Sequence, residues 1–224
     1  MYRLMQPQEL PAVQALWQQQ GQVSAAFARQ ALEHFAGLEN VYVAVENDQL
    51  TAMALAVPVS LKGRPGSYLY GLCGEGSLIR AGLLDYLCAQ QKLRGAGFTV
   101  AVPQTPAEAE LLREKGFERA FALRCLPRSV SRNLWAQAEF DTVTAKKLCE
   151  LRARFWPDTV QLPPERMAVV LGDLYARGAT LVSSDQGYGV YFRSEDTLYF
   201  VEMMAEDDRA AEKLMEAARE KEVI

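Results

Sequence analysis

Residues 67–93 read SYLYGLC, GEGS, LIRAGLLDYLCAQQKL, and this passage decides the fold. Residues 67–73 alternate aromatic and aliphatic side chains, which is a strand pattern. Gly74, Glu75, Gly76 and Ser77 form a tight link with Ser77 as the expected N-cap. Residues 78–93 then carry apolar positions at helical spacing. Working outward, 98–103 is a further strand, 106–115 a helix stopped by Gly116, and 117–126 another strand. Upstream, 41–46 and 50–59 alternate about the Asn47-Asp48 turn, so they make a hairpin that feeds 67–73. A strand at 2–5, a helix at 8–19 broken by Gly21, and a helix at 24–35 capped by Ser24 and stopped by Gly37 precede them. The order is β-α-α-β-β-β-α-β-α-β. Three consecutive strands followed by alternation specify a mixed sheet, an antiparallel meander joined to a βαβ crossover.

The second half begins that order again. A strand at 133–140, helices at 144–155 and 164–177, strands at 180–183, 189–193 and 198–203, and a helix at 208–221 give β-α-α-β-β-β-α. Element order thus indicates a partial internal duplication, with domains 1–127 and 128–224 meeting near Pro127-Arg128-Ser129. With 24 Lys and Arg against 28 Asp and Glu, the net charge is −4, and the excess lies in the second half. An acidic chain is a poor nucleic-acid binder, because such binding rests on a basic face that releases counterions. No apolar run is long enough to span a bilayer, and the first residues lack a signal-peptide core, so a cytoplasmic protein is expected. Cys73, Cys88, Cys125 and Cys149 form no CxxC pair and read as reduced, buried thiols. One histidine, His34, argues against a Ser-His-Asp site or a multi-histidine metal site, and no metal is expected.

Three stretches in residues 1–127 carry a resemblance to a known family: 68–73 running into Leu83-Leu84-Asp85-Tyr86-Leu87, then Gly97–Pro103, then Leu111-Leu112-Arg113-Glu114-Lys115-Gly116-Phe117. With the element order, they resemble the GNAT superfamily of acyl-CoA-dependent N-acetyltransferases. The resemblance implies a GNAT-like α/β fold with acetyl-CoA as co-substrate. In that family the strands flanking the long helix splay apart, pantetheine lies in the gap, and the strand-to-helix loop offers amides to the pyrophosphate. Carried over, the cofactor residues are Leu72, Cys73, Gly74, Gly76, Ser77, Leu78 and Arg80. The family's R/Q-x-x-G-x-G/A loop signature falls on Glu75, Leu78 and Arg80, so an acid replaces the basic residue and large side chains replace small ones. The tyrosine that usually protonates the leaving thiolate falls on Leu112. In the second half, Glu206-Asp207-Asp208 puts acids where phosphate would sit.

The resemblance therefore implies acetyl transfer from acetyl-CoA to a primary amine, with a small-molecule amine as partner. The alternative is a GNAT scaffold without catalysis, used for ligand sensing or protein contact. For Gly74–Ser77 the residues leave two uses open, an anion loop or a plain turn. Glu46, at the end of a strand, is the candidate base, or a solvated hairpin end. Tyr70, the second catalytic candidate, shares a strand face with Tyr68; together they line an acceptor cleft or pack in the core. Strict alternation puts Glu202 on one face with Phe200. The strand at 198–203 has no successor in sequence, so its edge is expected to be covered, either by the first sheet or by a second copy in a homodimer.

Overall fold

A computed structural model describes residues 1–21, 23–122 and 125–222. The chain divides into two units, Met1–Ala122 and Leu123–Ile224. The first contains β1 (Tyr2–Leu4), α1 (Leu10–Gly21), α2 (Ala25–Gln30), β2 (Val41–Glu46), β3 (Gln49–Leu61), β4 (Arg64–Gly74), α3 (Ser77–Leu93), β5 (Thr99–Ala101) and α4 (Pro106–Glu114). Its sheet runs in the order β1-β2-β3-β4-β5. Neighbours from β1 to β4 are antiparallel, and β5 joins β4 in parallel. This is the mixed sheet that three strands in a row and one crossover require. Asn47 and Asp48 take positive φ, 48° and 61°, which suits the right-handed twist of the hairpin they close. Ser24 caps α2 as the sequence indicates, its Oγ accepting from the Phe27 amide at 3.2 Å.

One face of this sheet is closed by α3. Ala52, Ala54 and Ala56 on β3 are small enough for Leu83, Leu84 and Leu87 to sit close, and Leu69 and Leu112 complete the cluster. Three elements depart from expectation, whereas α1 ends at Gly21 as the sequence indicates. The helix at 24–35 becomes α2 followed by a π-helical turn, Ala31–Ala36, so its hydrogen-bond ladder does not run through unbroken. The strand at 98–103 keeps only Thr99–Ala101. The strand expected at 117–126 is not formed at 117–122 or 125–126, and 123–124 lie outside the described residues. Phe117 packs on the core, but Glu118 and Arg119 are exposed and Phe121 is largely so, which leaves the segment no buried face to favour pairing.

The second unit contains β6 (Glu139–Phe140), α5 (Ala145–Phe155), α6 (Pro164–Ala176), β7 (Thr180–Ser184), β8 (Gly187–Ser194), β9 (Thr197–Ala205) and α7 (Asp208–Glu222). Its antiparallel sheet runs β6-β7-β8-β9, with one cluster around Leu148, Leu171 and Tyr188 and another around Tyr191, Leu214 and Ala218. The strand expected at 133–140 shrinks to two residues. Asp141, at φ 57°, ends it and locks β7 by accepting the Leu181 amide at 2.8 Å. The two units share local detail. The linker amide of Glu75 donates to Thr51 O, and that of Glu206 to Gln186 O, both at 2.9 Å. Beside these bonds lie the pairs Ala52↔Gly74 and Gly187↔Ala205, in which glycine and alanine have exchanged strands.

Candidate functional site

β4 outruns its neighbour. Its last pair with β5 is Leu69↔Ala101, whereas its pairing with β3 continues to Ala52↔Gly74. Residues 71–74 are therefore strand-paired on one side only, and their backbone groups facing β5 have no strand partner among the described residues. The register also shifts between Met53 and Leu55, a bulge containing Gly71. Gly71 takes φ 61°, and a Cβ there would lie 2.8 Å from the Trp17 indole, so both the turn of the chain and the close approach demand glycine. Gly74 has the stronger requirement: its Cβ would lie 2.2 Å from Ala52 Cβ and 2.5 Å from Ala52 Cα.

The chain then enters α3 through Glu75 and Gly76. Gly76 is the N-cap, with no side-chain hydrogen bond, and Ser77 is the first helical residue, not the cap the sequence suggested. The first amides of a helix have no carbonyl within it to meet. Those of Ser77, Leu78 and Ile79 have no acceptor among the described residues either. They open to solvent, and the Leu78 side chain beside them is 85% exposed. Glu75 is exposed at the same loop. Arg80, one turn in, is half-buried, and its Nε is buried without a hydrogen-bond partner among the described residues. Its charge acts on the Cys73 thiol, but burial dominates and pushes that thiol up to about 12.

The other candidates fall as follows. Leu72, Cys73, Gly74, Gly76, Ser77, Leu78 and Arg80 lie together along the open end of β4 and the first turn of α3. Leu72 points to the α3 side and Cys73 is buried. Tyr70 joins a ring cluster with Trp17, Phe27, Phe35 and Tyr68, at centroid distances of 5.6–6.5 Å. Glu46 is exposed at the β2–β3 turn, paired with Gln49 and two strands away from β4. Leu112 is 4% exposed, inside the α3-side core. His34 is exposed beside Glu33. Of the thiols, Cys73 is buried, Cys88 and Cys149 are half-buried, and Cys125 is exposed, which corrects the reading of all four as buried; none is bonded to another.

In the second unit the comparable loop is filled from within. The Asp207 carboxylate accepts the Ala210 amide at 2.7 Å, and Glu206 pairs with Arg154 at 2.6 Å. Glu202 departs from the face assigned by alternation. A register shift at Val201 turns it away from Phe200, which packs toward α7, and onto the α5 side, where it accepts from Tyr188 Oη and Arg152 Nη1. Burial and the Glu202 charge raise the Tyr188 phenol well above its ordinary range. No group of three or more His, Cys, Asp or Glu side chains suited to a metal occurs among the described residues, nor is any described helix long and apolar enough to cross a membrane.

No protein-family model matches the chain, and no curated protein matches it in sequence. Solved structures do match in shape. A GCN5-related N-acetyltransferase from Anabaena variabilis superposes with a TM-score of 0.73 at 14% identity, over 100% of this chain and 63% of that one. Eis1 from Mycobacterium abscessus gives 0.67 at 16% identity, over 97% of this chain and 62% of that one. The chain has the GNAT fold. A third structure with that fold, a GCN5-related N-acetyltransferase from Kribbella flavida, gives 0.63 at 15% identity, over 97% and 61%. The chain thus spans a little over three-fifths of the length of these GNAT structures. Two polar features beside β5 were not read from the sequence. Ser67 Oγ and Thr99 Oγ1 meet at 3.0 Å across β4 and β5, and Glu108 is tucked into the first turn of α4. Alternation within β4 exposes the first pair only once the parallel register is known. Glu108, three residues after Thr105, carries a helix-cap signal that could have found it: Thr105 Oγ1 accepts from its amide at 3.1 Å, and its carboxylate accepts from Gln104 at 2.8 Å.

Proposed function

We propose that the first unit binds acetyl-CoA and transfers the acetyl group to a primary amine. One observation carries this reading: β4 continues past β5 and delivers its unpaired edge to a helix N-terminus capped only by Gly76. An extended amide-bearing chain such as pantetheine can pair with such an edge, and the free amides at the start of α3 suit its phosphates. Arg80 adds positive charge beside the opening, and Glu75 opposes it. In the transfer, the amine nitrogen attacks the thioester carbonyl carbon, the C–S bond breaks, nitrogen loses a proton, and the thiolate gains one. Leu112 has no proton to give, so that last proton comes from water in this reading.

The alternative, a GNAT scaffold that senses a ligand or binds a protein without catalysis, is favoured by the buried leucine at the acid position. Calorimetric titration with acetyl-CoA, followed by thiol release on adding primary amines, separates the two. Binding with release supports transfer. Binding without release for any amine supports the scaffold reading, and no binding overturns the assignment of the opening to CoA.

A further inference from the structure

The second unit holds a cleft of about 1030 Å³ that acetyl transfer at the first unit does not use. It opens where β6 stops. β6 and β7 pair at Phe140↔Val182 and Glu139↔Ser183 only, so the chain before Glu139 parts from β7. α5 lines the other side with Lys147, Leu151 and Arg154, which share one helix face at i, i+4 and i+7. Ser183 is the decisive residue of the sheet side. Along β7, Leu181 packs toward α5 and Val182 toward α7, so Ser183 faces α5 again. It is 4% exposed, yet its hydroxyl has no hydrogen-bond partner among the described residues. Buried polar groups are as a rule hydrogen-bonded, and this one lines an open cleft.

Charge is sorted along the cleft. At the start of α5 the amides of Ala145 and Lys146 have no acceptor among the described residues, since Thr144 Oγ1 takes only the Lys147 amide, at 3.3 Å. Lys147 lies beside them; its ion pair with Glu150, at 3.5 Å, is exposed to solvent. Across the cleft, Glu139 accepts from the Thr142 hydroxyl at 2.9 Å. Lys147 offsets Glu139, which leaves the helix terminus its partial positive charge of about half a unit. At the far end Arg154 is taken up by Glu206 at 2.6 Å, and the Asp185 carboxylate has no partner among the described residues. That end keeps one negative charge. Lys147 and Arg154 stand seven residues apart on α5, about 10 Å at 1.5 Å per residue, a span that an extended peptide covers in about three residues. A free amino acid carries both its charges on one carbon and cannot reach both ends.

We propose that this cleft binds a short zwitterionic peptide of about three residues, its C-terminal carboxylate on Lys147 and the first amides of α5, its N-terminal ammonium on Asp185, and a backbone group on the Ser183 hydroxyl. Beyond Ser183 the β7 edge that faced β6 has no strand partner among the described residues, so the peptide's own amides find backbone groups to meet. Peptide binding here is independent of acetyl-CoA at the first unit.

The test is calorimetric titration of the full chain with trialanine, N-acetyl-trialanine, trialanine amide and alanine. Trialanine is expected to bind at millimolar concentration or below, and blocking either terminus to weaken it at least about fivefold, the factor for one charge pair about 4 Å apart in water. Lys147→Gln is expected to weaken trialanine by that factor and leave trialanine amide unchanged. Asp185→Asn is expected to weaken trialanine and leave N-acetyl-trialanine unchanged. Ser183→Ala is expected to weaken every peptide by about two- to tenfold, as the loss of one hydrogen bond does. Lys147 and Asp185 are exposed, and circular dichroism melting confirms that each variant is folded. No heat with trialanine at millimolar concentration, alanine binding as tightly as trialanine, a blocked peptide binding as tightly as the free one, or Lys147→Gln or Asp185→Asn matching the parent chain overturns the proposal.

Discussion

Glu75 places a negative charge beside amides that would otherwise be ready for phosphate. Exchanging it for glutamine keeps the shape and removes the repulsion, worth about 1 kcal/mol for charges some 4 Å apart in water. Glu75→Gln is therefore expected to tighten acetyl-CoA binding several-fold at low salt, and the gain should shrink as added salt screens the site; calorimetry at two ionic strengths reads both effects. Leu112 teaches a different lesson. Because it is 4% exposed, Leu112→Tyr does not restore a proton donor. It forces a larger side chain and a hydroxyl into a packed core, and a loss of about 1–3 kcal/mol, read by urea unfolding, is expected with no gain in thiol release. The cysteines sort by the same logic of environment. Burial raises the Cys73 thiol to about 12, so almost none of it is thiolate at pH 8, whereas Cys125 is exposed. Iodoacetamide at pH 8 should label Cys125 first and leave Cys73 unmodified in the folded protein, as peptide mass spectrometry would show.

At the scale of elements, the decisive joint is the end of β4. Gly74→Ala puts a Cβ 2.2 Å from Ala52 Cβ, against backbone as well as side chain, at a φ of 149° that L residues seldom adopt. The two strands would have to part where the loop begins. A loss of at least about 2 kcal/mol is expected from the combined strain, together with weaker acetyl-CoA binding; thermal melting and titration of the same variant test both. The fold was legible in the sequence where burial imposes a period. Val41, Val43 and the alanines of β3 alternate because each side of the strand meets a different layer, and the order of elements fixed the mixed sheet. What could not be read depends on register. The bulge at Gly71 and the shift at Val201 are one-residue insertions that reverse which face a side chain meets, and nothing local in Tyr199-Phe200-Val201-Glu202 signals the reversal. Likewise the length of β5, and hence the opening itself, is set by where two strands cease to run together. The loop at 74–80 was legible as a place, but its open amides follow from Gly76, not Ser77, holding the cap position.

For the whole molecule, the β9 edge of the second sheet is the place to look for self-association. β9 ends that sheet among the described residues, with Tyr199 58% and Val201 45% exposed. An unpaired edge of this apolar character favours another strand, and pairing with itself would give a two-fold dimer. Light scattering at micromolar concentration should report twice 24.9 kDa, and Val201→Lys, which charges the edge, should return the monomer; a parent chain that scatters as a monomer would sink this expectation. The separation of the hydrophobic clusters has a thermal consequence. Among the described residues, the cluster around Leu83 and Leu87 lies within 1–122 and those around Leu148 and Leu214 lie beyond it, so each unit carries an apolar core of its own. Heating should then melt the chain in two steps, with a calorimetric enthalpy larger than the van't Hoff value of a single transition. A ligand held by the first half alone raises only the midpoint of that half. A scanning trace with saturating acetyl-CoA should show one peak moving to higher temperature while the other stays where it was.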